Sequence, residues 1–342
     1  MNRRPPNAQP GRMGELALLR QIRARAARSG SGLRLGIGDD CALLRLRADE
    51  EAAVTTDLSI DGRHFRLDWH QPEAIGHRAL ARGLSDLAAM GARPVAAFLS
   101  LGLPSQLTKG QKGKAPWVER FYDGLLALAD RYHTPLAGGD LAESPLALAD
   151  ILLVGAVPRG QALLRSGARP GDCLYVTGSL GGAAFGLEEL SQLASAPARR
   201  TPPVLSTAQK KRLAAHLAPE PRLPQGLWLR RRHAASAAID LSDGLSTDLT
   251  HLCEESGVAA EIQAAALPLY PGASLQQALH GGEAYELLFA APPTVRLPRA
   301  IAGVPVTQIG RVLARRRGRP AITLIDGTGR KPLQPHGWQH FA

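Results

Sequence analysis

Aromatic residues make up only 4% of this 342-residue chain, and cysteine occurs three times. So few aromatics leave little material for stacking nucleic-acid bases. Cys41, Cys173 and Cys253 are widely spaced, form no CxxC and cannot all pair, a pattern that fits a reducing cytoplasm. No apolar run approaches the ~18–20 residues needed to span a bilayer. Residues 1–12 are polar and proline-rich with no apolar stretch, so they read as a loose tail and not as a signal peptide. Acids are the scarcer charge: 30 Asp and Glu stand against 41 Lys and Arg, a net charge of +11 and a pI near 10.2. Most of the excess is arginine scattered along helices, with dense runs only at 230–232 and 315–317, which reads as a solvated basic surface with no nucleic-acid partner.

Several catalytic patterns are also missing. There is no GxxxxGK[ST] loop, no protein-kinase motif set, no HExxH and no Gly-x-Ser-x-Gly elbow. The segment Gly110-Gln111-Lys112-Gly113-Lys114 lacks phosphate-loop spacing and reads as an exposed loop.

What is present is an ordinary globular composition, 44% hydrophobic and 21% charged, in a chain long enough for two domains. The expected division is the tail 1–12, an N-terminal domain 13–157 and a C-terminal domain 158–342. Helical spacing predicts helices over 13–28, 72–90, 117–132 and 245–256 and from about Leu180. Strands are expected at 52–56, 95–103, 151–157, 173–177, 237–241, 285–291, 305–312 and 321–325, and one running into Gly138-Gly139-Asp140. The alternation makes the fold α/β or α+β. Residues 191–205 read as a surface insertion.

The acids fall where the chain turns. Asp39 and Asp40 sit in a glycine turn, Asp57 follows Thr55-Thr56 at a strand end, Asp140 follows two glycines, and Asp240 and Asp243 bracket Leu241-Ser242. Each alone could be a turn or a helix cap. Together they pair phosphate-accommodating glycines with carboxylates that would repel a phosphate unless a cation stood between, and Mg²⁺ is the hard cation that suits both. Asp86 shares a helix stripe with Ile75, Ala79, Gly83 and Met90, where a carboxylate is costly unless paired or metal-bound. Gly83, one turn away, suggests a close approach.

In order along nearly the whole chain, several segments resemble the thiamine-monophosphate kinase family. They are Gly36-Ile37-Gly38-Asp39-Asp40, Thr55-Thr56-Asp57 with Gly62-Arg63-His64-Phe65, residues 84–92 around Asp86, Gly138-Gly139-Asp140, residues 164–172, residues 239–245, Gly281-Gly282-Glu283 and Gly337-Trp338-Gln339-His340-Phe341. The resemblance implies a two-domain aminoimidazole ribonucleotide synthetase-like fold. Its N-terminal sheet would dimerise into a barrel, and its C-terminal α/β domain would complete the site. It implies transfer of the γ-phosphoryl of ATP to thiamine phosphate with several Mg²⁺, and leaves a K⁺ requirement open. Carried over by motif, the metal ligands are Asp40, Thr55, Thr56, Asp57, Asp86, Asp140, Asp240 and Asp243. Nucleotide contacts are Gly139, Asp140, Arg165 and Ser242, and substrate contacts are His64, Glu283 and Trp338. Asp57, Asp140, Asp243 and Arg165 are the expected catalytic set.

The acceptor is a phosphate monoester with a second pKa of ~6, so it needs no general base. Arg165 can offer a planar fork to phosphate, and Trp338 a face to the thiazolium. The chain departs from the family at Ala284, where aspartate is usual, at Gly83, where asparagine is common, and at Leu141, where threonine is. Three other readings compete: a sister enzyme activating another acceptor, a non-catalytic sensor of the nucleotide or cofactor, and a nucleic-acid binder resting on charge alone.

Overall fold

The computed structural model describes residues 15–26, 30, 32–110, 113, 115–194 and 201–338, and the expected tail, Lys112, Lys114 and residues 339–342 lie outside them. The first half runs α1 (Glu15–Ala26), β1 (Leu33–Leu35), β2 (Leu43–Leu44), β3 (Glu50–Ile60), α2 (Pro72–Ala89), β4 (Arg93–Leu103), α3 (Trp117–Arg131), β5 (Leu136–Glu143) and β6 (Leu148–Pro158). The second half begins with β7 (Cys173–Thr177), α4 (Gly182–Ala194), α5 (Thr207–Arg212), α6 (Ala214–Leu217), α7 (Leu223–Arg231), β8 (Ala237–Asp240) and α8 (Leu245–Ser256). It ends with β9 (Val258–Gln263), α9 (Leu275–His280), β10 (Leu287–Ala291), β11 (Ala300–Ile301), β12 (Val304–Ala314), β13 (Ile322–Asp326) and β14 (Gly329–Pro332). Among the described residues no helix is long and apolar enough to cross a membrane.

Two sheets organise the chain. The first has the order β3-β6-β4-β5, antiparallel except for the β4–β5 pair. The second has the order β14-β13-β9-β12-β7-β10-β8, with β11 paired to β12; its only parallel pairing joins β13 to β9. Mostly antiparallel sheets beside helices make the fold α+β.

Helix α2 is the piece between them. Proline at its first position and Gly91 (φ 62) beyond its end fix its length. It is buried on almost every side, as a helix must be when its surroundings are all protein. Close contacts hold it. A Cβ on Gly76 would lie 1.9 Å from the Phe121 carbonyl oxygen, and one on Gly124 1.9 Å from that of Glu73, so α2 and α3 cross at backbone distance. A Cβ on Gly226 of α7 would meet the Ala88 carbonyl oxygen at 1.9 Å. At Gly83 a Cβ would lie 2.5 Å from Leu153 of β6, the close approach that the sequence suggested. The core around α2 therefore draws on both halves: Leu80, Leu84 and Leu153 share it with Leu229, Leu287 and Phe289. A second core, around Leu174, Leu249, Ile262 and Ile309, belongs to the larger sheet.

Two expected strand ends are strand interiors. β3 continues to Ile60, so Asp57 stands inside it; an acid at a strand end was the natural reading because a mid-strand carboxylate needs a partner, and Asp86 and Arg82 supply the setting. Gly138-Gly139-Asp140 lies within β5, where Gly139 (φ 148) is demanded by packing, since a Cβ there would sit 1.9 Å from the Leu99 carbonyl oxygen.

Replacing Gly76 with alanine should lower unfolding free energy by about 1–3 kcal/mol, the usual cost of overpacking, read as a shifted midpoint in urea denaturation.

Candidate active site

Strand alternation divides the acids of the first sheet. Thr55, Asp57 and Ser59 turn toward α2, while Val54, Thr56 and Leu58 turn to the opposite face. Asp86, on α2, meets the first set: the Thr55 hydroxyl donates to its Oδ2. The second sheet reaches the same place through β8. Ser85 of α2 donates to Oδ2 of Asp240 at 2.7 Å, across the junction between the halves. Asp57, Asp86 and Asp240 thus converge on one helix from two sheets.

Their electrostatics are strained. Burial first, then the nearby Asp86 carboxylate, pushes the Asp57 pKa up to about 6. Burial and Asp86 push Asp240 up to about 7. Asp86 is raised too, chiefly by burial, against the pull of the Thr55 hydrogen bond, Arg165 and Arg82. Asp248, pushed up to about 8 by burial and by Asp240 and Asp243, accepts the backbone N–H groups of Asp243 and Gly244 at 3.1 and 3.0 Å and so shapes the turn before α8. Negative charge outweighs the cations at this point.

A cleft of about 480 Å³ opens over these carboxylates. Asp57, Asp86, Asp240, Ser242 and Asp243 line one part of it, and His64, Phe65, Trp69, Glu283 and Trp338 another. The Trp338 backbone N–H donates to the Asp243 carbonyl at 3.1 Å, and Gly337 N–H to the Thr247 hydroxyl at 3.1 Å, which fastens the C-terminal segment to the start of α8. The Nδ1 of His64 accepts the Ile60 N–H at 3.1 Å.

Behind the cleft lies a network that sequence reading missed. Arg78, buried on α2, donates through Nη2 to both oxygens of Glu283 at 2.8 and 2.7 Å and to the His64 carbonyl at 3.0 Å. Its Nη1 donates to the His216 carbonyl at 2.7 Å. His216 faces His70 with Nε2 atoms 2.9 Å apart, and burial beside Arg78 keeps both imidazoles neutral, His70 with its pKa down to about 3. Glu283 (φ 60) and Tyr285 (φ 50) both hold left-handed backbone, uncommon without glycine. Only the i, i+4 spacing of Arg78 and Arg82 along α2, ahead of Asp86, could have signalled this network.

Not every expected residue joins the cleft. Arg165 is exposed at its margin, where its charge acts on Asp86 and Asp240. Thr56 is on the other face of the first sheet, donating to Asp150 Oδ1 at 2.9 Å. Asp40, Gly139 and Asp140 line a second cavity of about 400 Å³ with Gly36–Ala42 and Phe98. Among the described residues no group of three His, Cys, Asp or Glu side chains is preassembled as a metal cage. A cation that takes much of its coordination from water and phosphate does not require one.

Comparison with known proteins covers almost all of the chain. Residues 38–157 match the family "AIR synthase related protein, N-terminal domain" and residues 169–322 match "AIR synthase related protein, C-terminal domain". The thiamine-monophosphate kinase of Salmonella typhimurium is 40% identical over 341 residues, covering 96% of this chain and 98% of the relative. The crystal structure of thiamine-monophosphate kinase from Stenotrophomonas maltophilia superposes with a TM-score of 0.76 at 38% identity, over 91% of this chain and 96% of that one. A structure described as AaThiL complexed with AMPPCP and TMP gives 0.73 at 30% identity, over 96% and 97%.

The raised carboxylates predict a pH dependence. Asp240 keeps its proton in the folded protein up to about pH 7 but loses it near 3.8 when unfolded, so its contribution falls as pH rises across that window. Without divalent cations, Asp240→Asn should therefore melt above the parent at about pH 8, the gap closing toward pH 4. Thermal melts at both pH values check it.

Proposed function

The chain belongs to the thiamine-monophosphate kinase family, and we propose that it moves the γ-phosphoryl of ATP onto thiamine monophosphate, giving thiamine diphosphate and ADP, in the cleft at the α2 seam. The observation that carries this reading is the meeting of Asp57, Asp86 and Asp240, from both sheets, in a cleft also lined by His64, Glu283 and Trp338. Residues 13–157 act as the ATP and metal domain and residues 158–342 as the domain that completes the site.

The carboxylate set fits Mg²⁺: these are hard oxygen donors whose burial, and then mutual repulsion, raises their pKa values. Asp57, Asp86, Asp240 and Asp243 are the assigned ligands, with Thr55 beside Asp86. By family pattern Asp40, Thr56 and Asp140 are metal ligands too, outside this cleft on the opposite sheet face or in the second cavity, and Gly139 and Ser242 contact the nucleotide. When bound, Mg²⁺ supplies charge neutralisation to the phosphates.

The chain's own part is to position and to balance charge. The acceptor is a dianion at neutral pH and attacks without a base, which suits a cleft whose carboxylates are placed as ligands. Arg165 brings a guanidinium to the cleft margin for the nucleotide phosphates. Trp338 offers a ring to the thiazolium or pyrimidine. Glu283, held by the Arg78 fork, keeps its carboxylate fixed at the substrate end.

A second copy of the chain is the proposed partner. On the sheet face away from α2, Val54 is 61% and Leu58 45% exposed, beside part-exposed Phe98, Leu152 and Val154. Such a face suits closure against another copy into a barrel. A cytoplasmic setting suits the three free thiols.

A coupled assay for thiamine diphosphate with ATP, Mg²⁺ and thiamine monophosphate tests the chemistry. Product should require all three, and Asp57→Ala should lower kcat by about 10³-fold, as loss of several kcal/mol of charge stabilisation implies. Runs with and without K⁺ decide that requirement. Absence of product from folded protein that binds ATP would refute the reading. Sedimentation should give a dimer for the parent and a monomer for Val54→Asp combined with Leu58→Lys; an unchanged dimer would place the interface elsewhere.

A further inference from the structure

We propose that Arg82 grips the phosphate of the acceptor, a role that rests on the kinase reading and gives the cleft a phosphate-binding guanidinium from within the chain. Arg82 lies on α2, one turn before Asp86 and one turn after Arg78, and its side chain is only 17% exposed. It lines the cleft. Its ion pair is with Asp57, at the long distance of 3.5 Å. A guanidinium carries five N–H donors in a planar fork, and one contact of that length leaves most of this capacity unused.

The contrast with its neighbours is informative. Arg78 spends its donors on two carboxylate oxygens and two carbonyls at 2.7–3.0 Å. Arg222, whose side chain is 16% exposed, forms a bidentate pair with Glu286 at 2.6 Å for both bonds. Both are structural and satisfied. Arg82 has comparable burial and the loosest pairing, and it is the one of the three that faces the cleft.

Its position selects the ligand. The charges acting on Arg82 come from Glu283 at the substrate end, beside the buried neutral Tyr285, and from Asp57 and Asp86 at the carboxylate end. It therefore stands between the groups assigned to thiamine and those assigned to the metals. In the transfer, an oxygen of the acceptor phosphate forms a bond to the γ-phosphorus while the bond from that phosphorus to the bridging oxygen of ADP breaks. The attacking phosphate must sit at that junction. A planar fork there can hold two of its oxygens and leave the third to attack, and can offset repulsion between two anionic reactants.

The test compares the parent with Arg82→Met and Arg82→Lys, with thermal melts to establish folding. The expected result is a fall in kcat/KM for thiamine monophosphate of about 10- to 100-fold in the methionine variant, the loss of charged hydrogen bonds, while KM for ATP holds. Lysine should recover part of it, and free guanidinium should partly restore an Arg82→Ala variant. Calorimetry gives a readout independent of turnover. The parent should bind thiamine monophosphate more tightly than thiamine, and Arg82→Lys should narrow that difference. Unchanged discrimination, or a loss shared equally with ATP, would overturn the assignment. A parent that makes no thiamine diphosphate would instead refute the kinase reading, whereas an active parent with indifferent variants refutes Arg82 alone.

Discussion

Everything in this protein depends on burying one helix that carries a carboxylate. α2 is packed on almost every side, so Asp86 can exist there only if its surroundings are arranged around it. The arrangement is built from glycines. Gly76, Gly124 and Gly226 let α3 and α7 approach α2 at backbone distance, and Gly83 lets it settle on Leu153 of the first sheet. Because these contacts are backbone against backbone, the helix cannot slide, and Asp86 is fixed relative to Asp57 on one side and Asp240 on the other. The same close packing that stabilises the fold places three acids at one point.

Placement on regular elements also explains why the cleft divides as it does. Along α2, Arg78, Arg82 and Asp86 follow one another at turn intervals, so Arg82 and Asp86 line the cleft while Arg78 lies behind its wall. Arg78 is consumed by Glu283 and the His216 carbonyl, and burial, reinforced by its charge, keeps the His70–His216 pair neutral. Glu283 is thereby locked on a strained backbone, with Tyr285 buried behind it. The Glu283 end is held by a close ion pair, whereas at the opposite end Asp57 has the longer 3.5 Å pair with Arg82.

Much of this was legible in the sequence. β7 and α8 fall where their patterns put them, and α2 has the predicted start and stop because proline and glycine mark both. The carboxylates Asp57, Asp86, Asp240 and Asp243 were visible as acids beside glycine, threonine and serine, and the structure gathers them. Less legible were features set by contacts distant in sequence. β9 is buried along nearly its whole length and alanine-rich, so it shows neither alternation nor strong β-preference. Gly138-Gly139-Asp140 reads as the end of a strand, whereas pairing with β4 carries the edge strand through it and the Leu99 carbonyl leaves no room for a side chain at Gly139. Arg78 and Arg82 look like two more arginines in a basic chain until the fold buries them. Thr56 looks equivalent to Thr55, yet strand alternation sends it to the other face.

The charge imbalance at the seam has a consequence for how the halves hold together. Asp57 and Asp86 belong to the first half and Asp240 to the second, so their repulsion acts across the junction. Ser85 bridging to Asp240 and the shared apolar core oppose it. A cationic ligand bound among the three would remove the repulsion and engage both halves at once. By linkage, whatever it gains from the closed seam it returns as stability of that seam. Such a cation would leave the junction weakest in the empty cleft and firmest in the loaded one, which would suit a site that admits two anionic reactants and then fixes them in line.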